Sequence, residues 1–142
     1  MEDSLIIGTT AVDTVRIYAA STTGLVEEAR RIHQTWATAS AALGRVLTGT
    51  IILGVMADNL RRLTVEVCGD GPLGKLMAVS NQRGTVKGYL DNPQVDLDLN
   101  SMGKFDVGKA VGKGELVVTK ELGIGEPYQG IVPLQTGEIA ED

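Results

Sequence analysis

The sequence predicts an α+β fold in which antiparallel sheets pack around a buried central helix, in β/α/β layers. Two observations carry this. Residues 36–57 are apolar nearly throughout and hold one charge, Arg45, while the segments after them alternate apolar with polar residues between Gly, Asn and Pro turn signals. Helices early and strands late, with no low-complexity linker, repeat or break in composition, predict one domain over residues 1–142.

The first strand is read at Val15, Ile17 and Ala19, which alternate with Arg16, Tyr18 and Ala20. Thr22, Thr23 and Gly24 end it. Leu25, Ala29 and Ile32 then recur at helical spacing up to His33, with Glu27 and Glu28 early and Arg30 and Arg31 late, as the helix dipole favours. This is a surface-facing amphipathic helix, for which Thr23 is the expected cap.

Residues 36–57 admit two readings. As a membrane span, each Leu, Ile or Val gains about 0.3 to 0.6 kcal/mol, whereas a central Arg costs roughly 2.5 to 3.5 kcal/mol. Four Ser or Thr and three Gly oppose insertion further. A helix that is apolar all round is instead buried on several sides in a folded domain. Gly44, Gly49 and Gly54 are expected to let neighbouring backbones approach, as suits a helix between sheets.

Asp58 and Asn59 close the helix. Strands are then read at residues 63–68, 75–80 and 85–90, separated by the turn from Gly69 to Gly74 (GDGPLG) and by residues 81–84, as an antiparallel meander. Val95, Leu97 and Leu99 alternate with polar residues in an extended piece with one greasy edge, and residues 115–122 and 129–134 are further strands.

Composition narrows the function classes. With 18 acidic against 13 basic side chains the net charge is -5, and the basic residues are scattered, so neither nucleic acid nor an anionic membrane is an expected partner. The single cysteine, Cys68, excludes an intrachain disulfide and a multi-cysteine zinc site. Residues 1–8 lack a basic stretch followed by a long apolar run, which with the single thiol predicts a cytoplasmic location.

Catalytic motifs are not found. His33, the one histidine, has no Ser or Cys partner recognisable by motif and reads as a helix-end residue. Cys68 reads as a half-buried strand residue. The GDGPLG turn lacks the GK[ST] ending of a phosphate loop and leads into a strand, so a hairpin turn is the better reading than an anion site. Asp96, Asp98, Glu138, Glu141 and Asp142 receive no role. No enzyme, cofactor or metal is predicted for these residues.

Several blocks together resemble the heat-shock protein 33 family: VRIYAASTTGLVEEARRIH (15–33), ASAALGRVLTG (39–49), GDGPLG (69–74), GYLDNPQVDLDLN (88–100), GKFDVGKAVG (103–112), VTKELGIGEPYQG (118–130) and TGEIAED (136–142). Each block is weak, but their order and spacing are specific, and the resemblance runs from Val12 to the last residue. It implies the core domain of a redox-regulated holdase, which binds unfolding clients without ATP, has a helix packed between sheets, and forms homodimers partly by exchanging C-terminal elements. The family also implies a C-terminal cysteine module, a CxC with a CxxC, that holds zinc when reduced; it has no counterpart in residues 1–142. Ala37 stands where the family usually has a proline.

Val95, Leu97, Leu99 and Phe105 form a regular apolar stripe outside the meander and are the residues expected to touch clients. A patch of about 400 Å² supplies about 10 kcal/mol gross, which association costs reduce to micromolar-range binding. The same stripe could serve as core or as a dimer seam. Two alternatives accompany the holdase reading: a dimerisation or scaffold module without client affinity, and an anion-binding domain using the Gly69 to Gly74 turn.

Overall fold

The computed structural model describes residues 2–142; Met1, part of the N-terminal stretch weighed above as a leader, lies outside them. The apolar run forms helix α2 (Ala37–Met56), and ten of its residues are buried. Leu43, Val46 and Leu47 pack with Leu63, Val65, Val67, Leu76, Ala78 and Leu90 of the following strands in one core cluster. Among the described residues α2 alone is long and apolar enough to cross a membrane, by length and composition. Its burial here is that of a core helix.

Those strands are β3 (Arg62–Gly69), β4 (Lys75–Ser80) and β5 (Val86–Leu90), a meander as the alternation predicts. Two more, β6 (Gly114–Glu121) and β7 (Tyr128–Pro133), continue the sheet in the antiparallel order β5-β4-β3-β6-β7. Leu63, Val65 and Val67 point at α2, and Thr64, Glu66 and Cys68 point away.

A second sheet has two strands. The predicted strand is present as β2 (Arg16–Ser21), and an unpredicted one, β1 (Ser4–Thr9), pairs with it. The hairpin brings Asp3 over helix α1 (Thr23–His33), whose cap differs from expectation. Thr23 is the first helical residue, and Thr22 at the cap position makes no capping bond; its hydroxyl meets that of Thr48 at 2.7 Å. Asp3 does the capping, accepting from Gly24 N (2.8 Å) and Leu25 N (2.6 Å).

The α2 N-terminus is also capped from a distance. Pro93 O accepts from Trp36 N (2.9 Å) and Val95 O from Ala39 N (3.1 Å). The Thr38 hydroxyl donates to Asp96 (3.0 Å) and accepts from Leu97 N (2.9 Å). Residues 93–97 are therefore extended without joining a sheet, because their backbone groups serve a helix end.

A short helix, α3 (Val107–Val111), was not expected. Asp106 caps it by accepting from Lys109 N (3.1 Å), and Val107, Ala110 and Val111 are buried. The glycines of α2 divide. A Cβ on Gly54 would lie 2.2 Å from Ser80 Oγ and 3.0 Å from Asn81 O, and one on Gly44 would meet Val26 at 3.0 Å. Around Gly49 nothing lies within 4 Å, so of the three a neighbouring backbone approaches closely only at Gly54, while Gly44 makes room for the Val26 side chain.

Candidate client-binding surfaces

The sheet's register sets residues from five strands in one line on the face away from α2. Tyr89 lies opposite Met77, Met77 opposite Glu66, Glu66 opposite Val117, and Val117 opposite Ile131. Directly opposed residues share a face, so Tyr89, Met77, Val117 and Ile131 form an apolar row across the whole sheet, broken at its centre by Glu66. Glu66 is held by Lys75 Nζ at 2.9 Å, and that hydrogen bond raises the Lys75 pKa above its usual value. The helices pack on the other face: α2 covers Leu63, Val65 and Val67, and α3 lies where a Cβ on Gly69 would meet Val111 O. No described helix covers the row.

The stripe expected to touch clients is divided. Val95 and Leu97 are half-buried and pack against the core, as the latch onto α2 requires. Leu99 (56% exposed) and Phe105 (42%) face solvent. Asn100 folds the loop between them, its side chain accepting from Met102 N and Lys104 N, each at 3.0 Å. Met102, also exposed, joins Phe105 on a depression of about 440 Å³ beside Arg45 and Glu138. The sequence reading missed Met102, because an apolar residue inside a turn carries no periodicity. A flexible thioether suits contact with varied side chains.

A third apolar feature is a groove of about 790 Å³ along the open flank of α2, lined by Ala41, Gly49, Leu53, Leu116 and Ile139 among others. Arg45, the one charge of α2, sits at this groove and pairs with the Glu138 carboxylate. Glu138 also accepts from Gly108 N (3.1 Å), tying the C-terminal stretch to α3. Asp142 accepts from Gln135 N (2.6 Å) and Thr136 N (2.8 Å). Burial opposes its charge, but the N–H groups of Thr136, Gln135, Ile139 and Gly137 together outweigh it, and the carboxyl lies below its usual range.

The Gly69 to Gly74 turn spends its donors inside the fold. Asp70 N donates to Lys113 O (2.9 Å), Gly71 N to Val111 O (2.8 Å) and Leu73 N to Ala110 O (3.1 Å), and the Asp70 side chain accepts from Lys113 N (2.7 Å). A Cβ on Gly71 would lie 2.3 Å from Ala110 O, so glycine there admits the end of α3. The turn is thus an anchor for α3, with these N–H groups committed to carbonyls and not to an anion.

His33 ends α1 and Cys68 lies on β3. Among the described residues no three His, Cys, Asp or Glu side chains converge as a metal site.

A family model described as Hsp33 protein matches residues 3–142. A 33 kDa chaperonin of Geobacillus sp. (strain WCH70) is 48% identical over 143 residues, spanning all of this chain and 48% of that protein. Another, from Listeria monocytogenes serotype 4a (strain HCC23), is 46% identical over 144 residues, covering all of this chain and 49% of its own length. The crystal structure of the 33 kDa chaperonin (Hsp33) from Thermotoga maritima superposes with a TM-score of 0.90 at 40% identity, over 96% of this chain and 47% of that one. The chain spans about half the length of the curated relatives it matches.

Proposed function

The chain belongs to the Hsp33 family, and from that premise we propose that it is the client-holding core of an ATP-independent chaperone, which keeps unfolding proteins from aggregating and catalyses no reaction. The observation that carries this reading is the uncovered row of Tyr89, Met77, Val117 and Ile131. A row of apolar side chains set among polar ones, with Tyr89 and Ile131 exposed at its two ends, offers contact to unfolded segments without demanding one sequence. Leu99, Met102 and Phe105 form a second contact patch on the same reading. Val95 and Leu97 support it by holding the loop in place.

No cofactor is assigned to residues 1–142. The zinc and the thiol switch of the family belong, on this reading, to a cysteine module outside these residues, so client capture by this core is independent of oxidant. A cytoplasmic location and the absence of nucleic-acid partners agree with the net charge of -5 and the single cysteine.

Light scattering of a chemically unfolded client diluted into the protein without nucleotide tests the reading. Equal suppression of aggregation under reducing and oxidising conditions is expected; no suppression in either rejects it. A second reading, a dimerisation or scaffold module, is favoured by one observation, the unprotected edge of β7.

A further inference from the structure

The apolar row on the open face of the sheet has two unlike flanks. Two residues further along the strands on that face, towards the turn at residues 81–84, Lys87 lies opposite Val79, Val79 opposite Thr64, Thr64 opposite Thr119 and Thr119 opposite Gln129, with no carboxylate among them. One step beyond Thr64 comes Arg62, opposite Glu121. On the other flank Lys75 lies opposite Cys68, and Cys68 opposite Glu115. Lys75 is bound to Glu66, whereas Glu115 is exposed and pairs with no cation among the described residues.

Where the first flank meets the end of the sheet, Arg61, Arg62 and Lys87 line a depression of about 380 Å³ together with Asn81 and Thr85. No acidic residue lines it. Arg62 is committed to Glu121, donating from Nε at 3.0 Å, but Arg61 and Lys87 pair with no carboxylate among the described residues. Single exposed cations are ordinarily just solvated. Two unpaired ones sharing a depression with a third, in a chain whose net charge is -5, set up a local field of opposite sign to the whole.

We propose that this cationic depression selects among clients: it takes the carboxylate of an Asp or Glu in an unfolded segment while a neighbouring apolar side chain of that segment sits on Tyr89 and Met77. The proposal rests on the client-capture reading of the row and names the class of segment preferred. Lys87 and Tyr89 are alternate residues of β5, about 7 Å apart on one face. An extended client covers that distance in two residues, so the preferred pattern is an acidic residue two positions from the apolar one. Glu115 on the opposite flank repels the same carboxylate, which fixes the side of the row on which it lies.

At physiological salt, charges more than about 8 Å away are largely screened, so a carboxylate two residues from Tyr89 meets the depression and not the net charge of the chain. A dissolved anion is a poorer occupant, because the depression is open and its cations stand on exposed side chains. A carboxylate carried by a segment that the apolar row already holds arrives at high effective concentration, and weak ion pairs then suffice.

Fluorescence anisotropy on the full 142-residue chain tests this with three dye-labelled, unstructured peptides that share one apolar set and carry Glu, Gln or Lys two residues before each apolar position. At about 50 mM salt the Glu peptide should bind about fivefold more tightly than the Gln peptide, the gain that two exposed ion pairs supply, and the Lys peptide more weakly than both. The advantage should shrink below about twofold at about 500 mM salt. Arg61→Gln with Lys87→Gln should erase it, and Arg61→Glu with Lys87→Glu should reverse the order in favour of the Lys peptide. Melting temperatures should hold in both double variants, because the two side chains are exposed and unpaired.

Equal affinities for the Glu and Gln peptides overturn the proposal and leave client capture standing, as does a Glu advantage that survives Arg61→Gln with Lys87→Gln. Inorganic phosphate that binds the wild type but not that variant, with peptide affinities equal, also overturns it and assigns the depression to a dissolved anion. Failure of all three peptides to bind rejects the client-capture reading itself, and the preference with it.

Discussion

Gly49 and Gly54 occupy the same helix five residues apart and should respond in opposite directions to the same substitution. At Gly49 the added methyl enters open space and the helix gains propensity, so Gly49→Ala should stabilise by about 1 kcal/mol. At Gly54 it meets Ser80 Oγ, which donates to Thr50 O at 2.8 Å, and Gly54→Ala should destabilise by about 1 to 3 kcal/mol. Urea titrations of the two variants decide this, and equal effects would remove the packing argument. Asp142 belongs to the same scale. Its folded pKa is depressed, so its contribution is present above the unfolded value, about 4, and is lost as pH falls through the lower folded one. Asp142→Asn should flatten the loss of stability between neutral pH and about pH 3, read from urea midpoints at each pH.

At the scale of elements, both long helices are capped from elsewhere in the chain. Asp3→Ala should cost about 0.5 to 2 kcal/mol by freeing the first N–H groups of α1. Thr38→Val should cost about 1 to 3 kcal/mol, because it leaves Leu97 N–H without its acceptor inside a packed segment. Thermal melts of both variants check this, and a neutral Asp3→Ala would remove Asp3 from the capping of α1. These devices explain what was legible in the sequence. The apolar run of α2 and the alternation of β3 to β5 record burial directly, so they could be read. Asp3 lies 21 residues from its partner amide, a separation no local pattern encodes. In β1, SLIIGT sets three large apolar residues side by side with no alternation to follow. The missed α3 did carry a local signal, Asp106 three residues before Lys109 with Val107, Ala110 and Val111 at helical spacing.

At the scale of the whole molecule, the surface proposed for clients exists only once five strands are in register. Tyr89, Met77, Val117 and Ile131 are spread through the second half of the sequence, and each alone is an ordinary strand residue. The stripe legible in sequence, Val95, Leu97, Leu99 and Phe105, is instead divided between core and solvent, because the period-two pattern that marks one face does not say which neighbour takes it. Met77→Lys combined with Val117→Thr should reduce aggregation suppression several-fold while the melting temperature holds within a few degrees. Leu99→Ser with Phe105→Ser reads the second patch by the same light-scattering assay. Full suppression by both double variants would move the client surface elsewhere, with the α2 groove next in line.

The latch of residues 93–97 onto the start of α2 also sets an order of events at the ribosome. Thr38 and Asp96 are 58 positions apart, and translation at about 5 to 20 residues per second separates their emergence by several seconds. For the later part of that interval, once Met56 has followed, the long apolar helix α2 is outside the exit tunnel with an unfinished N-terminus and no complete sheet to lie on. A nascent chain of this family therefore passes through the kind of exposed state that it is proposed to protect in others.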